Sequence, residues 1–279
     1  MERIIANSMI EDFENYLYSD EKSDNTIEKY IRDVRAFAVF AEARKISKAV
    51  VMEFKASLIE NYEVTSANSM IAAVNAFLRF MGWIDCCVKQ FKMQKKAFCS
   101  EEKELTKAEY IRLVNTAKQK GNKRLNLILQ TICGTGIRVS ELQFITVEAV
   151  CKGEAVVSCK NKTRRVFIVR ELQKKLLNYI KTKGISSGCI FITKSGKPMS
   201  RCNIWREMKA LCVQAGVSPD KVFPHNLRHL FARTFYGIEK DIAKLADILG
   251  HSNINTTRIY IITTGTEHKR KMENMRLII

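Results

Sequence analysis

One short stretch breaks the rhythm of this chain. Over most of its length apolar side chains recur every three or four residues, the spacing that lines one face of a helix. From Glu154 the period changes. The runs AVVSCK and RVFIV alternate in the manner of strands and flank the polar turn NKTRR. With a further short strand expected near Ala149, they predict a small antiparallel sheet set into an otherwise helical chain.

The helical part divides in two. Ile27, Tyr30, Ile31, Val34, Phe37 and Ala38 form one stripe, with Asn25 as its expected cap. Val51, Phe54, Leu58 and Ile59 form another, and Ile71, Val74, Phe77, Leu78 and Met81 a third. With a helix over 7–18 they predict a four- to five-helix bundle over 1–92. The stretch FKMQKKAFCSEEKE, from Phe91 to Glu104, then carries charge without periodicity, and an interdomain linker is expected over 93–104. Thr106 with Glu109 predicts a capping box that opens a second domain over 105–279. There, helices are expected over 124–133, stopped by Gly134 and Gly136, in RVSEL after Arg138, over 171–183, 201–215, 225–236 and 241–249, and after Asn255.

Charge follows the same division. Residues 1–100 hold 14 basic and 14 acidic side chains, whereas 101–279 hold 33 and 15, the whole net charge of +18. Such a field favours a polyanion, most often nucleic acid. The second region is therefore expected to dominate non-specific DNA affinity and to give it a steep salt dependence. The nine cysteines contain no C-x-x-C pair, so neither a disulfide framework nor a zinc site is expected, and reduced thiols in the cytoplasm are the simplest account. No leader is recognised, and no apolar run approaches the roughly 18 residues that span a bilayer.

Five nitrogen-bearing side chains and one phenol stand out by context. Arg138 follows CGTGI, whose glycines let the backbone turn and bring the guanidinium to the head of a helix. Glu141, one turn on, is placed to brace it. Lys160 ends the first β-run, with Lys162 as a rival. His225 and Arg228 share a helix face and can grip one phosphate. Gly250 predicts a helix end that projects His251 from a loop, and Tyr260 follows nine residues later. His225 and His229 also have the spacing of a metal pair, but no intervening glutamate or third ligand accompanies them, so no metal is expected.

Taken together, the pattern resembles the tyrosine recombinases, the phage-integrase and Xer-like family, over nearly the whole chain. GTGIRVSEL resembles that family's first arginine box, PHNLRH its H-x-x-R box and LGHSNINTTRIY its histidine-to-tyrosine box. NTIEKYIRDVRAF resembles its N-terminal, SAM-like core-binding domain. The resemblance implies a phosphate-activating set of Arg138, Lys160, His225, Arg228 and His251, with Tyr260 as nucleophile. The family's glycines around the hairpin lysine are replaced here by Cys159 and Asn161.

The chemistry suits these residue types. Two arginines offset the charge that grows on the non-bridging oxygens of a pentacovalent phosphorus. His251 can add a hydrogen bond. A phenol whose pKa is normally about 10 needs a base, for which His225 is the candidate. Lys160 would protonate the departing 5′-oxygen. The resulting 3′-phosphotyrosyl bond conserves the energy of the cut strand, so neither cofactor nor metal is implied.

The resemblance also implies double-stranded DNA carrying paired recombination sites as substrate, other protomers in a tetrameric synapse, accessory proteins, and a cytoplasmic, nucleoid-associated location. A tail over about 263–279, with Met272, Met275, Leu277 and Ile278 on one face, is expected to dock on a neighbouring protomer. Integration or excision of a mobile element and Xer-type resolution both fit. A type IB topoisomerase and a non-catalytic DNA-binding regulator remain the alternatives.

Overall fold

The computed structural model describes residues 3–92, 103–159, 162–261 and 273–275. The chain divides into two compact units, Met1–Lys95 and Lys96–Ile279. Both are mainly helical, and the second carries one two-stranded sheet. The linker and the C-terminal tail lie almost wholly outside the described residues, as does Lys160.

The first unit packs four helices, α1 (Asn7–Ser19), α2 (Asp24–Ala41), α3 (Lys48–Asn61) and α4 (Val64–Phe80). Most of the expected stripe residues form its core: Ile27, Val34, Phe37, Phe54, Ile71 and Phe77 are all buried, whereas Ile59, at the end of its stripe, is exposed. Ser23, rather than Asn25, is the N-cap of α2. Asn68 and Asn75, two turns apart on α4, fasten the outgoing chain. Each side-chain amide pairs with the N–H and the carbonyl of one residue, Asn75 with Val88 through 3.1 and 2.8 Å bonds and Asn68 with Phe91 through 2.7 and 3.0 Å bonds.

The second unit begins at α5 (Lys107–Gln119) with the expected capping box. Thr106 Oγ1 accepts from the Glu109 amide at 3.2 Å, and Glu109 accepts from the Thr106 amide at 2.8 Å. Next come α6 (Lys123–Thr135), the 3-10 helix Val139–Phe144 and α7 (Val147–Lys152). The strand expected near Ala149 is thus a helix. Thr146 caps it by accepting from the Ala149 amide, and Gly153 ends it at φ +77°. A capping threonine and a terminal glycine with only six residues between them outweigh the apolar run they enclose.

Strands β1 (Glu154–Cys159) and β2 (Lys162–Phe167) form the sheet, antiparallel, with Val157 opposite Arg164 and Ala155 opposite Val166. The remaining α-helices among the described residues are α8 (Arg170–Lys183), α9 (Arg201–Lys209), α10 (Cys212–Ala215), α11 (Pro224–Glu239), α12 (Ile242–Leu249) and α13 (Ile254–Ile261). The single helix expected over 201–215 is thus two. A core led by Leu125, Ile128, Ile132, Leu176, Phe191 and Leu227 holds α6 at the centre. Around it, α11 is framed by α6, α12 and α13. No described helix is long and apolar enough to cross a membrane.

Candidate functional site

Three helix boundaries converge on one place. Gly136 ends α6 in the left-handed region, at φ +65°. A Cβ there would meet Phe231 Cδ1 at 2.5 Å, so only glycine lets α11 approach this closely. Arg138 then caps the 3-10 helix, and Glu141 returns to it. Oε2 accepts from the Arg138 amide at 2.8 Å and Oε1 from Arg138 Nη1 at 2.9 Å. The Glu141 carboxylate is 2% exposed, whereas the Arg138 side chain remains 37% exposed.

Arg228, on α11, is buried to 1%. Its Nη1 donates to the Gly136 carbonyl at 2.5 Å and its Nη2 to the Leu249 carbonyl at 2.6 Å. Two helix C-termini, each with carbonyls free of helical partners, thereby hold the guanidinium. Its Nε is buried and has no partner among the described residues. Desolvation, then the nearby Arg138 charge, lowers its pKa to about 10, which leaves it charged at neutral pH.

Gly250 ends α12 at φ +67°, and the chain delivers His251 beside Arg228. His251 Nε2 lies 3.0 Å from Arg228 Nη2, and Nδ1 lies 2.8 Å from Thr257 Oγ1. Arginine only donates, so Nε2 is the acceptor and the ring proton sits on Nδ1, directed at Thr257. Burial and the charges of Arg228 and Arg138 push the His251 pKa down to about 4. The imidazole is neutral.

Tyr260, on α13, is 4% exposed and packs against Ala232, Leu245 and Leu249. Its ring lies parallel to His251, at 11° and 5.5 Å between centroids. His225 is 5.8 Å from the same ring, and His229 stands edge-on to it at 4.4 Å. His225 lies on the exposed rim. Desolvation of the part of its ring that packs inward, then His229 and Arg228, lowers its pKa to about 4. The Tyr260 hydroxyl is close enough to Arg228 to favour the charged guanidinium.

The fold thus gathers Arg138, Glu141, His225, Arg228, His251 and Tyr260 in one chain. Lys160 is outside the described residues, and only the backbone of Lys162, in β2, is described. His225 and Arg228 share a helix face yet differ in exposure, one on the rim and one at the base.

Three further residues belong to the cluster and were not expected there. Thr257 is buried and holds His251. Its signal was its place one turn before Tyr260. His229 packs on Tyr260, with Glu104 Oε1 3.8 Å behind its Nδ1 and Arg233 2.6 Å from Glu104 Oε2. Its spacing from His225 points only to a metal pair. Arg164, on β2, donates to Glu141 at 2.6 Å. Strand alternation alone would have turned it inward.

Comparison with known proteins follows the same two units. The phage integrase family matches residues 103–266, and the phage integrase N-terminal SAM-like domain matches residues 10–83. Tyrosine recombinase XerA of Pyrococcus horikoshii is 30% identical, over 99% of this chain and 96% of its own length. Tyrosine recombinase XerD of Staphylococcus saprophyticus is 29% identical, over 96% of this chain and 97% of its own. Among solved structures, XerH recombinase bound to its difH substrate superposes with a TM-score of 0.70 at 15% identity, covering 97% of this chain and 99% of that one. A lambda integrase dimer on a core site gives 0.74 at 18%, covering 91% and 94%.

Proposed function

Since this chain belongs to the phage integrase family of tyrosine recombinases, we propose that Tyr260 is the nucleophile with which it cuts and rejoins DNA. The activity is site-specific recombination, carried out by a DNA strand-transferring enzyme. The observation that carries the residue assignment is the burial of Tyr260 against Arg228 and His251 of its own chain.

In the proposed step the Tyr260 oxygen bonds to the scissile phosphorus as the bond to the 5′-oxygen breaks. The phenolic proton passes to His225, which is neutral and open on the rim. Arg138 and Arg228 bind the non-bridging oxygens, and the unpartnered Nε of Arg228 is a donor held ready for them. His251 accepts from Arg228 in the phosphate-free site. A diester anion adds negative charge beside the imidazole, favours a proton on Nε2 and turns that nitrogen into a donor. Lys160, next after β1 in sequence, protonates the leaving 5′-oxygen. The phosphotyrosyl bond is then attacked by another 5′-hydroxyl, which reverses each transfer.

The proposed substrate is a pair of DNA sites held by a tetramer of this chain, on the chromosome in the cytoplasm. The end-to-end match with Xer recombinases favours a Xer-type exchange. Relaxation of a single duplex, the topoisomerase alternative, is not favoured.

The test is covalent trapping. Nicked duplexes tiling the DNA that flanks the gene lose a short 5′-hydroxyl fragment on cleavage, so the adduct cannot reverse. Wild-type protein is expected to form a denaturation-resistant adduct on one such duplex, and Tyr260→Phe none. An adduct of undiminished yield in Tyr260→Phe would overturn the assignment.

A further inference from the structure

Strand β2 carries two adjacent arginines with opposite surroundings. Arg165, opposite Val156, points to solvent with its side chain 71% exposed. Arg164, opposite Val157, turns inward and is 13% exposed. Its Nη2 donates to Glu141 Oε2 at 2.6 Å, while Arg138 Nη1 donates to the other oxygen at 2.9 Å. One buried carboxylate therefore serves two guanidinium groups. Paired with Arg138 alone it would cancel most of that cation. Shared, it leaves the trio a net charge of +1. The stem of Arg164 also lies on the turn before His251. A Cβ on Gly250 would meet Arg164 Cδ at 2.5 Å and Nε at 2.6 Å. His251 feels the Arg164 charge as well.

We propose that Arg164 is a positioning residue for recombination: it shares Glu141 so that Arg138 keeps its positive charge for the scissile phosphate, and it supports the turn that presents His251. The inference rests on the reading of Arg138 as a phosphate ligand. A substrate on which the charge demand differs separates this role from mere hairpin stability. In a methylphosphonate, one charged non-bridging oxygen of the scissile group is replaced by methyl, so the neutral ester asks less of nearby cations.

The experiment is single-turnover adduct formation by the full-length chain on two suicide duplexes that differ only in that group. A wild-type protein that gives no adduct on the diester would defeat the functional reading itself, not this inference. Arg164→Gln is expected to react roughly 30-fold more slowly on the diester but less than about threefold more slowly on the methylphosphonate, as for a lost electrostatic contribution to the transition state. Arg164→Lys keeps the charge and is expected within about threefold of wild type on both. Equal slowing on the two substrates, no slowing on either, or a Lys variant as slow on the diester as the Gln variant would overturn the proposal. Should Arg164→Gln not fold, Arg164→Met takes its place on both substrates, with the same outcomes deciding.

Discussion

The imidazole of His251 lies parallel to the ring of Tyr260, 5.5 Å away between centroids and 11° from coplanar. The imidazole cannot turn alone, because Arg228 and Thr257 hold its two nitrogens. The proposed nucleophile thus rests on a group whose tautomer and orientation are fixed by one donor and one acceptor.

Thr257 is the acceptor, and its loss tests that arrangement. Thr257→Val keeps the branched shape but leaves the His251 Nδ1–H buried without a partner, at a cost of about 1–3 kcal/mol. A ring free to change tautomer would also set Nε2–H against the Arg228 donor. Thr257→Val is expected to slow adduct formation roughly tenfold, the rate equivalent of about 1.4 kcal/mol, and Thr257→Ser much less. DNA affinity, measured by anisotropy, should stay within about twofold for both, since the threonine touches no substrate.

His251 also sets a pH dependence of stability. Its folded pKa of about 4 lies below its ordinary value of 6.5, so the unfolded chain binds its proton more readily. The contribution to stability is complete above about pH 6.5, declines as the pH falls toward 4, and changes no further below that. Carboxylates weaken the fold on acidification too, so the informative quantity is a difference. Thermal midpoints of wild type and His251→Gln, scanned between pH 7.5 and 4, should show wild type losing ground to the variant below pH 6.5. Parallel curves would contradict the buried neutral imidazole.

How much of this was legible beforehand depended on how local the cause was. Helix stripes and the Thr106–Glu109 box need only near neighbours in sequence, and both stand in the structure. The helix Val147–Lys152 stands where a strand is expected, because its six residues are too few to display a period and only its cap and terminal glycine carry the information. Arg138, Arg228, His251 and Tyr260 stood out through their motifs. Their supports did not. Thr257 holds His251 across a turn after α12, and Arg164 reaches Glu141 across 23 residues, a meeting set by strand register and by the approach of Gly250. No short spacing encodes such a contact.

Gly136 makes an approach as tight as that of Gly250. Its left-handed backbone alone would cost alanine about 1–2 kcal/mol. The added Cβ would also strike Phe231 at 2.5 Å, and the carbonyl of the same residue anchors Arg228. Gly136→Ala is expected to lower the urea midpoint and the adduct rate together. Pairing it with Phe231→Ala should recover the part due to the clash, beyond what adding the two single effects gives. Strict additivity in the denaturation curves would mean that Phe231 yields at no cost.

Arg228 is the residue on which the site depends most, because it is both buried and shared. A lysine in its place carries the charge but not the fork, so it cannot reach the Gly136 and Leu249 carbonyls and His251 together. Loss of one preorganised donor to a developing oxyanion typically costs about 2.7–4 kcal/mol. Arg228→Lys is therefore expected to slow adduct formation roughly 10²- to 10³-fold. Its salt-dependent DNA affinity should barely change, because the surface cations that dominate that term remain. Arg228→Ala removes the group outright and leaves a cavity that opens toward Tyr260. Millimolar free guanidinium is expected to restore part of its rate, and equimolar ammonium not. Equal recovery with both cations would show that charge alone suffices there, and would remove the role given to the two carbonyls.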